Sequence, residues 1–317
     1  MVTINSISSA TMKLLNFICA LFICISVVKA TYPQNFYYYN SSGIFISEGE
    51  NSDNPTLVPV SSSYRQLGAI TKVDSQNLYA IVISDWNSVD YISIDLSSGE
   101  TNTIQQIVYS NDITTGPLWG YSLDLKKNVL FSLSPTTAFH IELLINDLET
   151  QNQTVLSFGP NGVSGEVASS YDQSTGMYYA MGPYLQQFRL YVCDTNALSC
   201  KNSIINGLNY TSQKYDIAAF NGQLFVFSTD NGNVLVHTLN IDTNTLSLRD
   251  TIALDDGNVV FVQSKYNFDE NNLMVLGTTN GANALTFINI INTNPVEVEG
   301  GFSIDQLITS YSLIYVQ

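Results

Sequence analysis

Histidine is nearly missing from this chain: two among 317 residues, His140 and His237. Basic residues are scarce too, with 11 Lys+Arg against 27 Asp+Glu and a net charge of −16. Tryptophan occurs twice, as Trp86 and Trp119, and cysteine four times. Each shortage closes off a class of chemistry. Two histidines cannot supply a three-histidine zinc site. A two-histidine, one-carboxylate site is open by arithmetic, provided that His140 and His237 meet. So acidic a chain repels phosphate backbones and anionic headgroups, which disfavours nucleic acid and membrane surfaces as partners. Two tryptophans are few for a sugar-stacking cleft, although the 19 tyrosines could stack instead. There is no Gly-x-Ser-x-Gly elbow and no Gly-x-x-x-x-Gly-Lys loop, so serine-nucleophile and phosphate-loop signatures are both lacking. No catalytic residue, metal ligand or cofactor is assigned from the sequence.

The N-terminus carries the one long apolar run. Lys13 precedes Leu14–Val28, broken only by Asn16 and Ser26, and Val28-Lys29-Ala30 ends it. This is the pattern of a secretory signal with cleavage after Ala30, with Met12 as a better start than Met1. The apolar run is shorter than the about 20 residues a bilayer-spanning helix needs. An uncleaved signal anchor is the alternative. No later segment is apolar enough to span a membrane, so no span is expected after cleavage. The predicted division is a signal at 1–30 and one domain at 31–317, and the location is secreted and extracellular.

Three sequons fit that route: Asn40-Ser41-Ser42, Asn152-Gln153-Thr154 and Asn209-Tyr210-Thr211. Asn40, Asn152 and Asn209 are the expected N-glycosylation acceptors. Cys19 and Cys24 leave with the signal, so Cys193 and Cys200 remain. Seven positions apart across a turn-like stretch, they suit a hairpin disulfide in an oxidising compartment. The spacing is too wide for a zinc knuckle. So short a loop stabilises by about 2–3 kcal/mol on the chain-entropy account.

The remainder reads as strands. Leu78–Ile83, Val129–Leu133, Met177–Met181, Leu224–Phe227 and Leu273–Leu276 are short runs of branched and aromatic residues bounded by Asp, Asn, Ser or Gly. A turn residue precedes each run: Asp74, Asp124, Asp172, Asn221 and Asp269, at intervals of 50, 48, 49 and 48. A second set, Asp95, Asp147, Asp194, Asp242 and Asn292, keeps intervals of 52, 47, 48 and 50. Two landmarks sharing one period define a repeat: strand, turn, strand, loop, strand, turn, strand. Such a unit is a four-stranded antiparallel blade, which must stack on neighbours to bury both faces. Five units span Ser63 to Phe302. Strands from Ile308–Val316, Phe36–Tyr39 and Ile44–Ser47 make a sixth and remove the exposed edges. The polar segment Glu48–Ser63 reads as a long loop. The prediction is an all-β fold, a single six-bladed β-propeller closed by both termini; a parallel β-helix is the runner-up. In period and strand grammar the chain resembles propellers of the broad kelch, WD-repeat and YVTN kind. It has neither a Trp-Asp ending nor a Gly-Gly doublet in each repeat, so the resemblance implies a fold and assigns no functional residue.

Three functions follow. The first is an extracellular module that binds a protein or glycan without catalysis, using the loops at the ends of the blades. The second is a glycan-directed hydrolase or lyase with two carboxylates at a central channel, drawn from Asp85, Asp90, Glu142, Glu166, Asp255 and Asp256. The third is a structural matrix protein. Oxygen-rich turns at Asp230–Asn233 and Asp255–Asn258 offer calcium ligands, but neither completes an EF-hand loop and both suit ordinary hairpins.

Overall fold

A computed structural model describes residues 35–40, 43–48, 56–60, 66–85, 88–108, 119–124, 126–135, 140–159, 163, 167–208, 214–230, 233–253, 259–267, 272–279, 284–290, 297–303 and 313–316. The chain divides into two compact units, Met1–Tyr32 and Pro33–Gln317. The signal predicted at 1–30 lies outside the described residues, and every described strand belongs to the second unit.

The strands follow in chain order: β1 (Asn35–Asn40), β2 (Gly43–Glu48), β3 (Thr56–Val58), β4 (Gln66–Val73), β5 (Asn77–Asp85), β6 (Ser88–Asp95) and β7 (Thr101–Val108). Then come β8 (Trp119–Asp124), β9 (Val129–Pro135), β10 (Ile141–Asp147), β11 (Gln153–Ser157), β12 (Ala168–Asp172), β13 (Met177–Tyr184), β14 (Gln187–Asp194) and β15 (Ser199–Ile205). The last are β16 (Tyr215–Phe220), β17 (Gln223–Asp230), β18 (Asn233–Asn240), β19 (Thr245–Ala253), β20 (Val259–Asn267), β21 (Asn272–Thr279), β22 (Ala284–Ile290), β23 (Glu297–Ser303) and β24 (Leu313–Val316).

They gather into four-stranded antiparallel sheets: β4–β7, β8–β11, β12–β15, β16–β19 and β20–β23, each a plain meander. A further sheet runs β24-β1-β2-β3, where Tyr39 pairs with Leu313 and Phe36 with Val316, so both ends of the unit share it. The segment read as a loop from Glu48 to Ser63 contains β3, which at three residues is too short to show a periodic signal. The first strands touch in order: β4 meets β8, β8 meets β12, β12 meets β16, β16 meets β20, β20 meets β24, and β24 meets β4.

The core lies between sheets. Alternate side chains of one strand serve two interfaces. In β5, Leu78, Ala80 and Val82 pack toward Tyr37 and Ile44, whereas Ile81 packs toward Leu130 and Leu144. In β13, Tyr178 and Ala180 join Phe131 and Leu133, whereas Tyr179 and Met181 join Ile217 and Val226. A strand buried on both faces need not alternate with polar residues, which is why Leu78–Ile83 and Met177–Met181 read as continuous apolar runs. Full burial of such a Leu, Val or Phe contributes about 1.5–3 kcal/mol.

One device shapes the turns. Asp95, Asp147, Asp194 and Asn240 close the third strands, and each side-chain oxygen accepts the backbone N–H groups two and three residues on. The fifth residue is left-handed in each: Gly99, Gln151, Leu198 and Asn244. The landmark expected at Asp242 therefore moves to Asn240. The turn-holding oxygen must sit at the strand end, and Asp242 supplies an amide it accepts. After the first strands, Asp74 and Asp124 hold turns in the same way, whereas Asp172 Oδ1 accepts the Ser174 N–H and hydroxyl. At Asn221 the device changes. Asn221 and Gly222 have φ of 47° and 78°, a two-residue turn with both central residues left-handed.

Candidate interaction and modification sites

In each meander, first-to-second and third-to-fourth turns share one end. Second-to-third hairpins and the connections to the next sheet occupy the other. Asp124 and Asp172, both buried, do two jobs at the turn end. One oxygen holds the turn; the other reaches the neighbouring sheet. Tyr171 Oη donates to Asp124 Oδ2 at 2.8 Å, and the Gly222 N–H donates to Asp172 Oδ2 at 2.6 Å. Burial and the Asp124 bond push the Tyr171 phenol well above its ordinary range. Among the described residues, Asp74, Asp95, Asp124, Asp147, Asp172 and Asp194 are thus committed to turns, whereas Asp269 and Asn292 lie outside the described residues.

The opposite end is built differently. Between β13 and β14, Leu185 and Gln186 form a two-residue turn with φ of 45° and 65°. Such a turn normally selects Asn-Gly, because a side chain in the left-handed region costs roughly 1–2 kcal/mol per residue. Here a leucine holds the position and is 74% exposed, the most exposed large apolar side chain among the described residues. The strain therefore falls on a side chain that gains little burial from it. Behind it, the Arg189 guanidinium carbon lies 4.6 Å from the Tyr184 ring centroid. Arg189 Nη1 donates to Asn202 Oδ1, and Asn202 Nδ2 donates to the Phe158 carbonyl at 2.6 Å. Phe158 in turn meets Tyr191 edge-on, with centroids 5.2 Å apart. This chain of contacts anchors the hairpin to the β8–β11 sheet. Burial pushes the Tyr191 phenol up to about 12, with Arg189 partly offsetting it. The sequence reading missed this group, whose signal is a single arginine placed in an apolar strand.

His237, the buried histidine of β18, has no hydrogen-bond partner for Nδ1, and burial lowers its pKa against a weaker opposing bond to the Val226 backbone. His140 immediately precedes β10. His140 before β10 and His237 within β18 belong to different sheets, with the β12–β15 sheet packed against both, so the structure does not bring them together. Among the described residues, no group of three or more His, Cys, Asp or Glu is arranged to hold a metal.

Of the six candidate carboxylates, three lie among the described residues. Asp90 is buried in β6 with Oδ1 unpartnered, Glu142 lies half-buried in β10, and Asp85 ends β5. Glu166, Asp255 and Asp256 lie outside the described residues. So do Trp86 and the middle of the Asp230–Asn233 turn, whose ends pair directly as a two-residue hairpin. Trp119 opens β8. On the first strands, Thr71, Ser122, Ser169 and Ser170 supply hydroxyls. Asp216 bends one oxygen back onto the Ile217 N–H at 2.9 Å.

Of the sequons, Asn152 is exposed beside the Asp147 turn, Asn40 ends β1, and Asn209 lies outside the described residues. Cys193 and Cys200 are register partners across β14 and β15, within disulfide-bonding distance, with Cα atoms 4.1 Å apart. Cys193 is sealed in the core between the β8–β11 and β12–β15 sheets. No helix among the described residues is long and apolar enough to cross a membrane.

No protein-family model matches the chain, and no curated protein matches its sequence. Its backbone is similar to that of solved structures. A protein from Lactobacillus plantarum superposes with a TM-score of 0.53 at 11% identity, over 90% of this chain and 100% of that one. A protein of unknown function from Desulfotomaculum acetoxidans gives 0.51 at 12% identity, over 87% and 82%. A luciferin-regenerating enzyme gives 0.51 at 10% identity, over 82% of each. At these identities the likeness concerns the fold alone. With the four-stranded antiparallel sheets, it defines an all-β protein of the β-propeller kind.

Proposed function

We propose that this chain is a secreted, N-glycosylated binding module without catalysis, which takes an extracellular protein partner at the β13–β14 hairpin. In this reading residues 1–30 are a cleaved signal, Asn40, Asn152 and Asn209 carry glycans, and Cys193–Cys200 is a disulfide. The body is a six-bladed propeller. The serial contacts of the first strands support a ring, and the β24–β1 pairing supports closure by both termini.

The carrying observation is the strained, exposed Leu185 backed by Tyr184 and Arg189. Tyrosine and arginine are the residue types that anchor interfaces, and an apolar tip needs an apolar pocket in a partner. A leucine favours protein over glycan here. Committed turn carboxylates and hydroxyl-bearing first strands support binding over hydrolysis.

The test is proximity crosslinking of the secreted protein through a photoreactive residue at position 185. A discrete crosslinked protein, lost when Arg189→Ala loosens the hairpin, is expected. Glycan cleavage that disappears in Asp90→Asn or Glu142→Gln, without a crosslink, establishes the hydrolase instead. An N-glycan-specific endoglycosidase should sharpen and shift the secreted band; an unshifted band overturns the glycoprotein reading.

A further inference from the structure

Two Asn-Gly pairs lie within the described residues, and their surroundings are opposite. Asn221-Gly222 occupies a tight turn, and the Gly222 N–H is held by Asp172 Oδ2 at 2.6 Å. Asn206 and Gly207 are both exposed, just beyond β15. Gly207 has φ of 93°, and nothing lies within 4 Å of where a Cβ would sit. We propose that Asn206 is a site of spontaneous deamidation, a slow covalent clock on this protein, and that the Asp172 carboxylate shields Asn221 from the same reaction.

The chemistry needs no enzyme. The Gly207 amide nitrogen gives its proton to water and attacks Cγ of Asn206. The new N–Cγ bond forms as the Cγ–Nδ2 bond breaks, and ammonia leaves with a proton from solvent. Water then opens the cyclic imide at either carbonyl, leaving aspartate or isoaspartate. A small, open glycine removes the steric barrier to attack. At Asn221 the attacking nitrogen is engaged: its N–H donates to the Asp172 carboxylate, whose negative charge opposes loss of that proton, and the turn holds it in place.

The location gives the change a consequence. The Asn206 N–H donates to the Asn244 carbonyl at 2.9 Å, and Asn206 forms a parallel bridge to Thr245. This joins the β12–β15 sheet to the β16–β19 sheet. Isoaspartate lengthens the main chain by one carbon there and adds a negative charge to an acidic protein, so the junction weakens as the protein ages.

The experiment incubates the full secreted protein at neutral pH and physiological temperature. Peptide mapping follows amide loss at both positions, and enzymatic methylation of isoaspartate reads the isomer. Asn206 should convert at least about tenfold faster than Asn221, about 1.4 kcal/mol in barrier. Asp172→Ala should raise the rate at Asn221 while leaving Asn206 unchanged; circular dichroism confirms that this variant folds. In Asn206→Gln the thermal midpoint should stop drifting during incubation. Equal rates at the two positions, or an intact Asn206 beside a converted Asn221, overturn the proposal. An Asp172→Ala variant that folds without changing Asn221 overturns the shielding.

Discussion

The two ends of the sheets follow different rules. At the turn end, a side-chain oxygen accepts two amides, a left-handed fifth residue completes the turn, and buried aspartates extend to the next sheet. The same local solution recurs at Asp95, Asp147, Asp194 and Asn240. The other end is less uniform. Two residues separate β5 from β6, β13 from β14 and β17 from β18, but five separate β9 from β10 and ten, 109–118, separate β7 from β8. This contrast motivates the proposal that one end holds the scaffold and the other meets a partner.

The largest effect expected from breaking this contrast is on the side that should tolerate change. Gly120, in β8, has φ of 68°, and a Cβ there would lie 2.6 Å from Tyr178 Oη and 2.9 Å from Leu133 Cδ1. Tyr178 is fully buried, and its hydroxyl donates to the Gly120 carbonyl. Gly120→Ala should cost about 2–4 kcal/mol, combining left-handed strain and overpacking, as read by denaturant unfolding. A neutral result would show that the neighbour relaxes.

Asp172→Ala comes next. It removes a buried carboxylate that holds a turn and binds the Gly222 amide, and should cost about 1.5–3 kcal/mol. At the other end, replacing Leu185-Gln186 with Asn-Gly should do the reverse: stability rises by about 1–2 kcal/mol while partner capture falls. Equal loss of both would end the distinction between scaffold and contact.

Two pH effects are smaller. The folded-state pKa of His237 lies below its ordinary 6.5 because burial disfavours the cation. The unfolded chain therefore takes up the proton first, so stability is full above pH 6.5 and falls as pH drops below it. His237→Gln should flatten the thermal midpoint across that window. Asp95 is held down to about 2, below its ordinary 3.8, first by the Ser97 hydroxyl and then by the Ser98 and Ser97 amides. Its contribution is present above pH 3.8 and fades as pH falls toward 2, so Asp95→Asn should shift only the acid limb of unfolding.

Legibility followed burial. The second strands were plain because both faces are buried, as Leu78 to Val82 illustrate. Outer strands were faint. In β11, Gln153, Thr154 and Val155 are exposed, and an edge strand with one solvated face need not alternate strongly. The Asp period was readable because the turn is a local interaction, spanning three residues. Asp242 misled because Asp and Asn crowd that turn, and only the geometry shows which oxygen ends the strand. The Tyr184, Arg189, Asn202 and Phe158 group left only Arg189 in an apolar strand as a trace, since its contacts join residues up to 44 positions apart.

The amino-acid order alone determined the strands, their period and the turns between them, because each rests on residues that are near neighbours along the chain. It also set the acidity and the sequons. Which aspartate bridges two sheets, which asparagine is shielded, and which leucine is pushed into solvent were decided by tertiary structure. Those outcomes depend on contacts between separate sheets, and no local pattern records which sheet will stand beside another.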